Sequence, residues 1–143
     1  MPNSAIFTEA DIKRFVESFY TAIRQDPILA PIFATKTSHD AWDKHIEHIT
    51  DFWSSVLLKT QRFTGNPLQK HIGVSGITPA HFTHWLSLFH TIAKKKLTPE
   101  QADIIHKMAQ RIAQSLQMGL AFHYETSGQT EHSFTEFGIK AKL

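Results

Sequence analysis

The chain contains no cysteine among its 143 residues. This absence excludes disulfides, catalytic thiolates, cysteine-ligated zinc and iron–sulfur clusters in this chain. No apolar run approaches the length of a membrane span, and the N-terminal segment MPNSAIFTEA lacks the hydrophobic core of a secretory signal. We therefore expect a cytoplasmic protein without a membrane span.

An excess of charge of one sign is also missing. The sequence has 15 basic and 13 acidic residues and a formal net charge of +2. Because this balance creates no broad positive field, nucleic acid is not an expected partner. The length and the 41% hydrophobic content suit one globular domain, which we place over residues 1–143.

Alternating strand patterns and internal repeats are missing as well, whereas helical signals recur along the chain. The predicted helix starts are Thr8, Ser38, Asn66, Thr78 and Thr98. The first helix stops at Asp26-Pro27, the second at about Lys59, and the last at about Tyr124. PILAPIF, after the first helix, reads as a tight corner. The sequence therefore predicts an all-α fold.

Histidine and phenylalanine are abundant, with 10 and 11 copies. Two His-x-x-His pairs, His45/His48 and His81/His84, each lie on one side of a helix. A carboxylate-bridged metal site would need inward acidic residues beside them, which the helical pattern does not supply. His81 falls in the first turn of its helix, and we expect it to be exposed. Six further histidines are assigned to the surface: His39, His48, His90, His106, His123 and His132.

The segment RFTGNPLQKHIG, residues 62–73, encodes a very short helix. Asn66 is a natural N-cap, Pro67 fits the first turn, and Gly73 can close the end. Three residues share one face by their spacing: Leu68, His71 and Ile72. A helix this short is marginal alone, so that face must dock against something. A metal–imidazole bond at His71 would anchor it, and a buried structural histidine is the alternative.

Three other helices each carry an inward-facing polar aromatic side chain. Tyr20 lies on the apolar side of the first helix, His45 on that of the second, and Trp85 on that of the fourth. Each alone is ordinary core, because buried hydroxyl and indole N–H groups find hydrogen-bond partners. Together they indicate a small polar spot inside an apolar pocket.

These segments together resemble the truncated haemoglobins of group III. The matching segments are Phe19-Tyr20, DPILAPIF (26–33), WDKHIEHITDFW (42–53), RFTGNPLQKH (62–71) and HWLSLF (84–89). They occur in the family's order over about residues 8–123. The absence of any Gly-Gly pair favours the third group, because the other groups carry paired glycines. Residues 125–143 form a polar C-terminal tail outside the resemblance.

The resemblance implies a two-over-two helical sandwich that encloses haem b. It makes His71 the metal ligand, places Tyr20, His45 and Trp85 on the distal side, and packs Phe33 against the haem face. Further walls are expected from Ile49, Phe52, Leu68, Ile72 and Phe89. Arg62 and Lys70 are candidates for binding the haem propionates.

Three functions remain open from the sequence. The first is binding, transport or handling of O2 at five-coordinate iron, with CO and NO as further ligands. The second is a redox enzyme, either an NO dioxygenase or peroxidase-like, that uses the same haem. Such an enzyme would need a separate reductase, because the chain carries no flavin or nicotinamide motif. The third is a haem-free helical interaction module, which would show no Soret absorption.

Overall fold

A computed structural model describes residues 6–34, 39–63, 65–72 and 77–128, without the side chains of residues 34, 39–41, 69 and 70. The helices are α1 Glu9–Gln25, α2 Ala30–Ala34, α3 His39–Leu58, α4 Pro67–His71, α5 Pro79–Lys96 and α6 Pro99–Thr126. Within these described ranges no strand occurs, and the predicted all-α class is confirmed.

Two long helices begin at the predicted residues through reciprocal capping. Thr8 Oγ1 accepts from the Asp11 amide at 3.1 Å, and Asp11 Oδ2 accepts from the Thr8 amide at 3.1 Å. Thr98 and Gln101 form the same arrangement at the start of α6. Each box satisfies amides that have no partner inside the helix, so the local sequence fixes where α1 and α6 start.

The structure differs from the sequence prediction at the corner after α1 and at the ends of two helices. PILAPIF contains a five-residue helix, α2, where a tight corner was expected. Helix α3 ends at Leu58, because Lys59 adopts a positive φ of 59° that no longer fits the helix. Helix α6 continues to Thr126, two residues beyond the predicted end. Ser38 and Gly73 lie outside the described residues.

The long helices form two pairs, α1 with α3 and α5 with α6, and the packing of α1 on α5 joins them. Aromatic rings fill that junction. Phe89 of α5 meets Phe15 and Phe19 of α1 edge-to-face, with ring centroids 4.9 and 5.1 Å apart. Edge-to-face pairs are the favoured geometry of buried rings, so this contact sets how α5 sits on α1.

Helix α4 rests on α6 and has little surface of its own. Leu68 and Ile72 join an apolar cluster around Phe82 and Leu120. Gly119 of α6 allows the close approach, because a Cβ there would lie 2.8 Å from Leu68 Cδ2. The prediction that the short helix docks through this face is confirmed. The docking places His71, at the end of α4, opposite α5.

Candidate functional site

A cavity of about 730 Å³ is lined by residues of α1, α3, α4, α5 and α6 and of the corner after α1. Its volume lies in the range of cofactor and ligand sites. The apolar and aromatic lining residues are Tyr20, Leu29, Ile32, Phe33, Ile49, Phe52, Trp53, Phe63, Pro67, Ile77, Phe82, Trp85, Ile112, Ala113 and Leu116. The remaining lining residues are basic: Lys44, His45, His48, His71 and His81.

Seven of the residues singled out from the sequence come together around this cavity: Tyr20, Phe33, His45, Ile49, Phe52, His71 and Trp85. Others lie elsewhere. Leu68 and Ile72 pack in the cluster that holds α4 on α6. Phe89 is fully buried in the core, where its ring meets Phe15. Of the Lys70 side chain nothing is described.

Arg62 is engaged in a polar cluster of its own. Its guanidinium pairs with Glu9, lies 3.6 Å from Asp51 and donates to Ser54 Oγ at 2.7 Å. These contacts join the loop after α3 to the first turn of α1. The structure therefore gives Arg62 a bridging contact where the sequence suggested a place beside a propionate.

Two histidines expected at the surface line the cavity instead. His48 packs its ring against Phe63, with centroids 4.8 Å apart, and His81 lies in the first turn of α5. The expectation of exposure was wrong because a cavity wall is wider than the apolar stripe of one helix. A usable signal for His81 was its position three residues after Thr78, where a side chain folds back onto the cap.

His71 is held by its own helix. Its Nδ1 lies 2.6 Å from the carbonyl oxygen of Pro67, four residues earlier. A carbonyl oxygen can only accept a hydrogen bond, so Nδ1 donates and carries the ring proton. Nε2 is left with its lone pair in the neutral ring. His71 therefore lines the cavity with its proton on Nδ1, and Nε2 is the nitrogen that can bind a metal.

His81 has the opposite arrangement. Its Nδ1 accepts from the Thr78 amide at 3.0 Å and lies 2.9 Å from Thr78 Oγ1. A backbone N–H can only donate, so Nδ1 carries no proton in this bond and Nε2 does. His81 is thereby an N–H donor at the cavity wall, and its imidazole lone pair is used for capping α5.

Tyr20, His45 and Phe33 form an aromatic cluster in the wall of the cavity. The Tyr20 ring lies 5.3 Å from that of His45 and 5.9 Å from that of Phe33, both edge-to-face. Burial raises the pKa of the Tyr20 phenol well above its usual value. The phenol therefore stays protonated and keeps a hydrogen to donate.

Comparisons with known proteins identify the family to which the chain belongs. The family model for bacterial-like globins matches residues 4–118. The group 3 truncated hemoglobin ctb of Campylobacter jejuni is 33% identical over 111 residues, covering 76% of this chain and 87% of that protein. The chain belongs to the truncated haemoglobins of group III. The crystal structure of the group III truncated hemoglobin from Campylobacter jejuni matches with a TM-score of 0.75 and 32% identity. The match covers 80% of this chain and 91% of that one.

Membership of this globin family makes the protein a haem globin, and the cavity of this truncated haemoglobin fits such a group. The aromatic rings of Phe33, Phe52 and Phe82 offer wide apolar walls to a flat cofactor. His71 supplies an imidazole nitrogen with a free lone pair. The two-over-two arrangement predicted from the sequence is confirmed by the structural match. Among the described residues, none of the helices has the length and apolarity to cross a membrane.

Proposed function

We propose that this truncated haemoglobin binds haem b through His71 Nε2 and holds O2 or another diatomic ligand beside Tyr20, His45 and Trp85. Haem bound through one imidazole supplies an open sixth coordination position at which O2, CO or NO binds. The side chains of the cavity decide how strongly such a ligand is retained.

The observation that carries the proposal is the bond from His71 Nδ1 to the Pro67 carbonyl. It fixes the ring proton on Nδ1 and sets the ring orientation relative to α4, so that Nε2 is the nitrogen left for a metal. Only His71 combines these features with a place at the cavity wall among the histidines whose ring-nitrogen bonds are described there. His81 is unsuited, because its lone pair accepts from the Thr78 amide.

A b-type haem is favoured by both the sequence and the walls. Covalent attachment through thioether bonds needs cysteine, and the sequence has none. Retention must then come from His71 and from apolar contact with residues such as Ile49 and Phe52. Lys44 and His48 also line the cavity and are the basic groups that we propose for the propionates.

The hydrogen-bond donors in the cavity wall support a role in retaining a polar ligand. Tyr20 is 5% exposed and stays protonated, and the Trp85 indole can only donate. A hydrogen bond in a pocket with a mostly apolar lining is electrostatically stronger than in water. We therefore expect slow release of O2 from the reduced protein.

Titration of the haem-free full chain with haem tests the proposal. We expect the wild type to develop a Soret band at one equivalent, with the spectrum of histidine-ligated five-coordinate ferrous iron after reduction. His71→Ala should lose that ferrous signature and bind haem at least about tenfold more weakly, because a metal-ligand bond is removed. His90→Ala, on the face of α5 that stacks against His106, is the matched control and should behave as wild type.

Two outcomes would overturn the proposal. If the wild type forms no Soret band, the protein is a haem-free module. If His71→Ala keeps the wild-type ferrous spectrum, another residue is the ligand.

A further inference from the structure

Asp26 joins the end of α1 to the corner that follows. Its amide donates to the Ile23 carbonyl at 3.1 Å and so closes the helix. Its Oδ1 accepts from the amides of Ile28 and Leu29, each at 2.9 Å. One carboxylate oxygen therefore organises the turn that starts α2, and it is fully used by these two bonds.

The second oxygen of Asp26 reaches a different part of the fold. Asp26 Oδ2 lies 2.7 Å from Nε2 of His84, in the second turn of α5. A carboxylate only accepts, so Nε2 carries the proton and donates. The Asp26 side chain is 12% exposed and that of His84 34% exposed. The bond is thus partly buried, because the carboxylate is mostly covered while a third of the histidine side chain is exposed.

The charge on Asp26 is secured by its surroundings. Burial alone raises the pKa of Asp26, but hydrogen bonds from His84 and from the Leu29 and Ile28 amides outweigh it and hold the pKa below its usual value. Asp26 is therefore a carboxylate at neutral pH. It can accept both backbone bonds and the His84 bond at the same time.

Each residue of this contact belongs to a segment that also carries cavity-lining residues. The corner that Asp26 organises carries Leu29, Ile32 and Phe33, which line it. His84 is the neighbour of Trp85, which lines the cavity from α5 and packs 5.5 Å from Phe19. The contact therefore lies between the wall that holds Phe33 and the helix that carries an indole donor.

We propose that the Asp26–His84 pair is a positioning clasp that fixes the corner against α5 and thereby the spacing between Phe33 and Trp85. Neither Asp26 nor His84 lines the cavity. Both act through the backbone segments that they join. The inference rests on the proposed ligand-binding role of this cavity. Loss of the clasp lets the corner move away from α5, which weakens the hold of the cavity donors on a ligand.

The rate of O2 dissociation from the haem-loaded ferrous full chain tests the clasp. It is measured by stopped-flow displacement with CO. We expect His84→Ala to raise the rate by about fivefold. A factor of this size corresponds to a fraction of the stabilisation that a hydrogen bond to a charged group provides. His84→Gln carries an N–H donor of similar reach and should restore the rate to within about twofold. His90→Ala, also on α5, should leave the rate unchanged.

Asp26→Ser separates the clasp from the turn. Serine keeps one oxygen that can accept from the Ile28 and Leu29 amides, but it has no second oxygen to reach His84. Because both variants remove the same contact, His84→Ala should add little to Asp26→Ser in the double variant. Additive rates would contradict the clasp, as would a wild-type rate in His84→Ala or equal rates in His84→Ala and His84→Gln.

Amide hydrogen exchange in the haem-free full chain distinguishes failure of the clasp from failure of the proposed function. His84→Ala should speed exchange of the corner amides from Ile28 to Phe33 by about fivefold, because local opening becomes easier when a contact is removed. His84→Gln should exchange as wild type. Unchanged exchange in His84→Ala overturns the clasp even if no haem is bound, whereas a missing Soret band overturns only the haem assignment.

Discussion

His71 and His81 line the same cavity from two helices that differ in nearly every respect. His71 ends the five-residue helix α4, which depends on α6 for support. His81 lies in the first turn of the 18-residue α5, which has its own cap. His71 Nδ1 donates to a carbonyl, whereas His81 Nδ1 accepts from an amide. The two rings therefore present opposite nitrogen chemistry to one space.

The backbone partner of an imidazole, rather than the residue type, decides what the ring can do. His71 reaches back one turn to a carbonyl oxygen, whereas His81 reaches back to the amide of its N-cap residue. A neutral histidine that donates to a carbonyl keeps a lone pair for a metal. One that accepts from an amide keeps a proton to donate. The backbone group that a histidine ring meets thus predicts its tautomer.

Replacement of the His71 ring by free imidazole should give the largest of the expected effects, a loss and recovery of the ferrous spectrum. His71→Gly should lose the histidine-ligated ferrous spectrum, and millimolar imidazole should restore it, because the cavity still accepts an imidazole where the side chain was. His81→Gln should show the wild-type spectrum and no response to imidazole. Ultraviolet–visible spectra of the reduced proteins measure both. A response in His81→Gln but none in His71→Gly would reverse the assignment of the two rings.

The free energy of unfolding should depend on His81, whereas the ferrous spectrum should depend on His71. His81→Ala removes the side chain that caps the Thr78 amide and should lower the unfolding free energy of the haem-free chain by about 1 kcal/mol. His81→Gln should cost no more than about 0.3 kcal/mol, since glutamine at this third helical position completes a capping box. Urea unfolding followed by circular dichroism measures both. Equal losses in the two variants would mean that His81 stabilises α5 by packing rather than by capping.

Local sequence predicted the features that depend on neighbours within a few residues. Thr8 and Thr98 start their helices where the sequence indicated, because each cap is completed three residues later. Helical spacing placed Tyr20, His45 and Trp85 on inward faces, and the structure brings them to one cavity. The short helix α2 was missed, because its support comes from the Asp26 side chain and from packing on α1.

Features that depend on distant partners could not be read from the spacing. Phe89 and Trp85 share one face of α5, yet Phe89 meets Phe15 of α1 in the core while Trp85 reaches the cavity. Periodicity gives the inward face but not the neighbour on that face. Arg62 likewise finds Glu9 at the start of α1, far away in the sequence. Such contacts follow from the assembled fold.

Gly119→Ala adds one methyl group where α4 rests on α6, and it should have the smallest effect of the substitutions proposed for comparing His71 with His81. The added Cβ would lie 2.8 and 3.0 Å from the two Leu68 methyl groups, the flexible end of that side chain. Leu68 can turn away, and alanine favours the helix by about 1 kcal/mol over glycine. We therefore expect Gly119→Ala to leave the unfolding free energy of the haem-free chain within about 1 kcal/mol of wild type.

The rate of haem loss should nevertheless change in Gly119→Ala, because α4 carries His71 and rests on α6 at this point. A small displacement of α4 moves the His71 ring, while α5 and His81 keep their own support. We expect haem transfer to apomyoglobin to be about threefold faster from Gly119→Ala, since closely packed helices transmit even a one-carbon change. Gln110→Ala, an exposed site on the same helix, is the control and should transfer haem at the wild-type rate. If Gly119→Ala also transfers haem at that rate, the position of His71 is set by the Pro67 bond within α4 and does not need the close approach to α6.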